Sequence, residues 1–200
     1  MRNLMEKIRR IKGRPCRPLA ILIIFAGHVL LADAQQDDRR MEGIRRLSNQ
    51  INEQIAESER LEESNAIYCN ELVVNKGDKS WPAVGIYRSV VKFYYTFGDR
   101  EKDPYPNRLL KITVTTNRSD RHESAEYLFN PAGQLIFYSE KNGESSTSER
   151  RYYFAAERLI RRMTGQRIVA ANSREALDAA KVAIIETRKL RQIFRNSLSN

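Results

Sequence analysis

Few side chains in this 200-residue chain have chemistry suited to catalysis. Of its two histidines and two cysteines, only His122 and Cys69 lie beyond residue 34. A Ser-His-Asp or Cys-His arrangement would have to use His122, with Cys69 or a serine as the nucleophile. No Gly-x-Ser-x-Gly elbow is present. Because His122 follows the polar run 119–121, we interpret it as a solvated turn residue and keep a hydrolase using His122 as an alternative.

Metal and cofactor chemistry is equally sparse. One histidine and one cysteine cannot build a zinc site of three or four ligands. Asp99, Glu101 and Asp103 alternate as in a calcium loop, but the glycine and the final glutamate of such a loop are missing, which indicates a solvated loop. No glycine-rich phosphate loop occurs. The sequence therefore predicts no metal, no cofactor and no catalytic residue.

The two cysteines give no internal disulfide, because Cys16 belongs to the segment that we expect to be removed. Cys69 lies in an apolar stretch that begins at Ile67, so we predict a small buried hydrophobic residue. No lysine or histidine adjoins it in sequence to lower its pKa. An intermolecular disulfide or a reactive thiol remains the alternative.

Residues 1–34 have the three parts of a secretory signal peptide. A basic stretch (2–17) precedes an apolar run (19–31), and small residues at Ala32 and Ala34 suit a cleavage site. The apolar run is about 13 residues long, whereas a spanning helix needs ~20. We therefore predict cleavage near Ala34 and one exported domain over 35–200, in the periplasm or outside the cell. A segment that is kept as a membrane anchor is the alternative.

The net charge of +10 is unevenly distributed, and half of it lies in the first 34 residues. Residues 158–200 hold ten basic and three acidic side chains. Ile184 lies on one helical line with three arginines, namely Arg188, Arg191 and Arg195. A basic helix face can bind anionic lipid, glycan or nucleic acid, and the predicted export argues against nucleic acid. A solvated helix with cations near its carboxyl end is the alternative.

Apolar periodicity predicts a helix at each end of the exported domain. In 37–64, apolar residues recur at steps of three and four, from Met41 to Leu61. In 173–196, Asn172 and Glu175 have capping-box spacing, and a broad apolar face follows. Between the helices, residues 67–163 alternate strand-like runs with turns. The predicted fold is α+β: an antiparallel β-meander sheet of about six or seven strands flanked by the two amphipathic helices.

The last part of the predicted sheet contains two hairpins. The first turns at 130–133, where Pro131 and Gly133 suit a type I turn. The second turns at 155–157, without glycine. Asn142-Gly143, between the two hairpins, is a strong two-residue hairpin signal. Aromatic residues on successive positions indicate that both faces of the sheet need cover.

Aromatic and basic residues are the candidates for binding. Trp81, the single tryptophan, suits a core plug near the start of a strand, with a ligand platform as the alternative. The full set of candidates is Trp81, Tyr94, Tyr127, Tyr138, Tyr152, Arg188, Arg191 and Arg195.

Three segments together resemble a family of small exported bacterial β-meander proteins without an established activity. They are Trp81–Gly85 (Trp-Pro-Ala-Val-Gly), Tyr127–Phe137 and Arg151–Arg161, and the resemblance extends over Tyr68–Arg162. This chain departs from the family at Ala155–Arg158, where an Asn-Gly type of turn is expected. The resemblance implies export and a meander, and it assigns no functional residue.

These observations predict a non-enzymatic binding or structural protein of the cell envelope or extracellular space. It would bind a protein or glycan partner through a sheet face or the Trp81 region. The first alternative is a basic membrane-surface or glycan-binding module that uses the last helix, and the second is the hydrolase described above. We expect no nucleic-acid partner, and membrane contact only through an uncleaved signal segment or weakly at the surface. What decides among these functions is whether the helices cover both faces of the sheet.

Overall fold

The computed structural model describes residues 18–60, 67–83, 85–97, 108–143 and 148–198, with side chains from Gln35 onward. The basic stretch before residue 18, the predicted end of the first helix (61–64) and the carboxylate-rich loop at 99–103 lie outside the described residues. The chain divides into two units, residues 1–38 and 39–200.

The first unit is described only as the beginning of helix α1 (Pro18–Arg60). Within the described part of the chain, no helix combines the length and apolar character needed to cross a membrane. The signal peptide and its cleavage near Ala34 stay predictions.

The second unit contains an antiparallel sheet between the rest of α1 and a second helix. The strands are β1 (Tyr68–Val74), β2 (Ser80–Trp81), β3 (Gly85–Thr96), β4 (Arg108–Arg118), β5 (Arg121–Phe129), β6 (Leu135–Asn142), β7 (Arg150–Ala155), β8 (Arg158–Thr164) and β9 (Arg167–Val169), and helix α2 is Arg174–Leu198. They lie in the order β1-β3-β4-β5-β6-β7-β8-β9, with β2 beside β3. The predicted α+β antiparallel architecture is confirmed. The count of six or seven strands was too low, because β2 and β9 are too short to leave a pattern of alternation.

Helix α2 covers one face of the sheet, which we call the α2 face. Its buried positions recur every three or four residues, from Ala176 to Phe194. Small alanines in the first half of the helix permit close approach, and the Phe194 ring lies 5.6 Å from that of Phe93. The core on this face is mostly aromatic and includes Tyr127, Phe129, Tyr152 and Phe154.

Helix α1 covers part of the opposite face, which we call the α1 face. Its predicted apolar stripe is buried at four positions, Met41, Ile44, Ile51 and Ile55. These residues pack on four sheet residues, Tyr94, Leu128, Tyr153 and Met163. Both faces of the sheet therefore have helical cover, as the runs of consecutive aromatic residues require.

Of the three turns predicted in the last part of the sheet, the two at 130–133 and 155–157 form hairpins. In the first hairpin, the Gly133 amide donates to the Asn130 carbonyl at 2.8 Å and Gly133 has a φ of 73°, which confirms the predicted type I turn. Asn142-Gly143 ends β6 and does not form a two-residue hairpin, because β7 begins only at Arg150. In the second hairpin, both central residues, Ala156 and Glu157, have positive φ. That conformation is the one that favours Asn-Gly, so this turn is strained.

Two buried positions were predicted wrongly. Trp81 is 40% exposed, because β2 lies outside the path of the main sheet and the ring packs mainly against Tyr87, at 5.2 Å. Cys69 is exposed and has a free thiol, and its exposure follows from β1 being an edge strand with only β3 beside it. A core plug and a buried thiol are therefore both incorrect interpretations.

Candidate functional site

Three of the predicted binding tyrosines form a cross-strand row on the α2 face. The Tyr138 ring lies 4.9 Å from Tyr127 and 5.4 Å from Tyr152. The Tyr138 hydroxyl donates to Glu140 at 2.9 Å, and Arg150 donates to the same carboxylate at 3.0 Å. Burial raises the pKa of Tyr127 to about 12 and raises the pKa of Tyr138 and Tyr152 as well. These rings belong to the core beneath α2.

The fourth tyrosine and the three arginines lie elsewhere. Tyr94 is buried beneath α1. On α2, Arg188 lies 3.7 Å from Glu157 in an ion pair, and the Arg191 guanidinium lies 6.0 Å above the Phe129 ring. Arg195 is exposed in the last turns of the same helix.

His122 is an exposed residue beside the β4–β5 turn. Its Nδ1 lies 2.5 Å from the Asn117 side-chain oxygen. Cys69 lies in register with Tyr94, whereas His122 lies, through Asn117, in line with Arg88, six residues earlier on β3. At ~3.3 Å per residue, this offset separates His122 from Cys69 by about 20 Å, so the two do not form a Cys-His pair.

The α1 face changes character along its strands. One row across the sheet carries the apolar residues Leu128, Phe137 and Tyr153. Two residues further along each strand, the next row carries Glu126, Ser139 and Arg151 in register, followed by Ser124 and Lys141. Since side chains on alternate residues share a face, the same face is apolar at one end and polar at the other.

Helix α1 forms a wall along this polar end. Its side chains Arg45, Ser48, Asn49 and Asn52 recur at helical spacing and line a cavity of about 320 Å³. A second cavity of about 440 Å³ extends over the sheet. Both cavities share Glu126, Ser139 and Glu149. We call this continuous depression the polar cleft.

A nearly buried ion pair joins the helix to the sheet at the cleft. Lys111 Nζ donates to Asn52 Oδ1 on α1 at 2.6 Å. The same ammonium lies 2.8 Å from Glu126 Oε2, and the Lys111 side chain is only 9% exposed. The ammonium thus holds an amide of the helix and a carboxylate of the sheet in fixed positions at the cleft. Such charge-assisted contacts preorganise a polar surface.

Two arginines are also held in place in the cleft lining. A hydrogen bond with the Tyr153 hydroxyl raises the pKa of the Arg45 guanidinium. Arg151 donates from Nη2 to the Gly165 carbonyl, and its Nε lies 3.8 Å from a Glu149 oxygen. That buried Nε has no hydrogen-bond partner among the described residues. The Nε atom is itself shielded from solvent, so Arg151 contributes to the cleft through its fixed position beside Glu149.

The cleft offers donors and acceptors in balance. Arginine, lysine and asparagine supply N–H groups, while Glu126, Glu149 and Ser139 supply oxygens. Across residues 18–60, 67–83, 85–97, 108–143 and 148–198, no cluster of three or more His, Cys, Asp or Glu residues could hold a metal ion. The arrangement can therefore form hydrogen bonds with a polar ligand. The sequence signal for it is the polar residues at every second position of neighbouring strands, whereas the predicted candidates were aromatic and basic residues elsewhere.

Comparisons with family models, with curated proteins and with solved structures found no match for this chain. The resemblance to exported β-meander proteins stays a prediction.

Proposed function

We propose that this chain is an exported, non-enzymatic binding protein whose ligand site is the polar cleft. The observation that supports it is the change along the α1 face from apolar residues, covered by α1, to Glu126, Ser139 and Arg151 in an open depression. A polar surface that is needed only for solubility does not require a nearly buried lysine that pairs with Glu126 and holds Asn52 of the helix. We also propose kinship with the exported family that Trp81–Gly85 resembles.

A glycan fragment is the ligand class that fits the cleft best. Sugar hydroxyls both donate and accept hydrogen bonds, and the cleft presents both kinds of partner. Its cations Arg45 and Arg151 face the carboxylates Glu126 and Glu149, so it favours an uncharged ligand over an anion. The Phe137 ring lines one wall and supplies an apolar surface for the face of a sugar ring. The cavity volumes lie within the range of small-molecule sites.

Isothermal titration with a panel of neutral oligosaccharides tests the proposal. We expect one class to bind, and Arg45→Ala or Asn49→Ala to weaken its affinity by about tenfold, the effect of losing one hydrogen bond. Arg118→Ala is the matched control, because Arg118 lies at the end of β4 outside the cleft lining. Affinity that is unaffected by the cleft variants, or no binding by any saccharide, contradicts the proposal.

A further inference from the structure

The polar cleft is a groove that runs across the strands, alongside helix α1. Arg45 of the helix donates to the Met163 sulfur on β8 at 3.8 Å. Asn52, two turns later on the helix, accepts from Lys111 on β4 at 2.6 Å. Strands β4 and β8 have three strands between them in the sheet. The helix therefore crosses the strands, and its polar side chains border one side of the groove.

One register row of polar side chains forms the floor of this groove. Each strand from β3 to β7 contributes one residue, which is paired with the next across the sheet. The row consists of Lys92, Thr113, Glu126, Ser139 and Arg151. Neighbouring strands lie ~4.8 Å apart, so the row extends over about 19 Å. Thr115 and Ser124, one row further along the strands, line the same depression.

The spacing of these polar groups selects a repeating ligand. Along the groove, a new hydrogen-bonding side chain occurs every ~4.8 Å. A linear pyranose chain in an extended conformation advances by nearly the same length per sugar unit, so each unit meets donors and acceptors from one strand. An extended peptide advances only ~3.3 Å per residue and points alternate side chains to opposite sides, so its groups fall out of step with the strands. The spacing therefore favours a linear saccharide over a peptide.

We propose that the groove binds a linear, uncharged oligosaccharide that lies across strands β3–β7, with about four sugar units in contact with the row. This inference rests on the proposed function of the polar cleft, and it adds the length and the direction of the ligand. The part of the groove beside α1, lined by Asn49 and Phe137, holds two of the units. The part beyond it, lined by Lys92 and Thr115, holds the others. A disaccharide leaves this second part empty.

The dependence of affinity on chain length tests this inference. Cello- and chito-oligosaccharides, from the disaccharide to the hexasaccharide, are titrated calorimetrically into the full chain. We expect the tetrasaccharide to bind at least about tenfold more tightly than the disaccharide, because its additional units form further hydrogen bonds. We expect the hexasaccharide to gain little beyond that, since its last units extend past the row.

Two neighbouring threonines of β4 provide a matched pair of variants. Thr115 lines the second part of the groove, whereas Thr116 lies on the other face of the sheet, 3.3 Å from the Ser89 hydroxyl. Thr115→Val should weaken tetrasaccharide binding about fivefold, the effect of one hydrogen bond, and leave disaccharide binding unchanged. Thr116→Val should affect neither, and Asn49→Ala should weaken both.

The outcomes separate this inference from the proposed function. Equal affinity for the disaccharide and the tetrasaccharide, with Asn49→Ala still weakening both, would overturn the linear groove and leave the cleft as a site for a short ligand. Tetrasaccharide binding that Thr115→Val does not weaken would also overturn it, because the longer chain then lies elsewhere. Binding of no saccharide, or of an extended peptide in its place, would contradict both.

Discussion

The two faces of the sheet are made from the same strands, yet they carry different types of residue. The α2 face is mostly an aromatic core, in which large rings from five strands pack beneath a helix that begins with small alanines, and it turns polar at the Glu140–Arg150 ion pair. The α1 face is apolar only where Met41 to Ile55 lie on it. Beyond that patch it carries glutamate, serine, lysine and arginine in an open cleft. Both faces therefore contribute to the core, the α2 face the larger share, and the α1 face also carries the polar cleft.

The difference follows from what each helix brings. Helix α2 buries six side chains along most of its length, and the strands beneath it are mostly apolar, with Arg162 paired to Glu175 of the helix. Helix α1 places the polar side chains of Ser48, Asn49 and Asn52 along part of the sheet, and the strands carry polar residues opposite them. Buried polar groups are retained only when they are paired, which explains why Lys111 meets Glu126 and Asn52 there.

The largest expected effect is on the α2 face. Phe93→Ala removes a ring that is 1% exposed and stacked on Phe194, and should lower the free energy of unfolding by about 3–5 kcal/mol. Ser139→Ala in the cleft, the matched change on the α1 face, should cost less than about 1 kcal/mol. Urea unfolding followed by circular dichroism measures both. Equal losses would mean that the two faces contribute alike.

An intermediate effect is expected at the ion pair of the cleft. Lys111→Met keeps an unbranched apolar stem but leaves Glu126 and Asn52 without their donor, and should cost about 1–3 kcal/mol. Adding Glu126→Gln should recover part of that loss, because the carboxylate is then no longer charged. A double-mutant cycle by chemical denaturation checks this coupling. Strict additivity of the two changes would show that the pair does not organise the cleft.

Burial of tyrosines on both faces, including Tyr94 beneath α1, should make stability depend on pH in alkaline solution. Burial raises the pKa of Tyr127 to about 12, and it raises the pKa of Tyr138 and Tyr152 in the same direction. Unfolded chains release these protons first, so stability should fall as pH rises above about 10. Tyr127→Phe should reduce this loss. Urea midpoints between about pH 9 and about pH 11 test it, and an unchanged slope would contradict the burial of that hydroxyl.

The smallest expected effect is a gain in stability at the β7–β8 turn. Ala156 has a φ of 48°, which glycine adopts without the Cβ conflict. Ala156→Gly keeps Glu157 and its ion pair with Arg188, and should raise the free energy of unfolding by about 1 kcal/mol. Ala132→Gly, in the turn of the other hairpin, where Ala132 is not among the residues with positive φ, is the control and should not stabilise. A thermal midpoint that falls for Ala156→Gly would show that the turn is not strained.

The sequence predicted the elements better than it predicted the site. Apolar periodicity identified both helices, and alternation identified the main strands of 67–163. Edge positions could not be recognised: Trp81 and Cys69 look apolar in sequence, and their exposure depends on β1 and β2 having a neighbour on one side only. The cleft depends on register, because Glu126, Ser139 and Arg151 become neighbours only when three strands pair. The register of neighbouring strands depends on the length of the turns between them, and the pattern of residue types alone does not specify those lengths.

The most direct test of the difference between the faces is amide chemical-shift mapping with the tightest-binding oligosaccharide. Binding in the polar cleft predicts perturbations at Arg45, Asn49 and Asn52 on α1 and at Ser139 and Arg151 on the sheet, with the amides of α2 unchanged. Perturbations confined to α2 or to the Trp81 edge, or none at saturating saccharide, would contradict the assignment of binding to the α1 face.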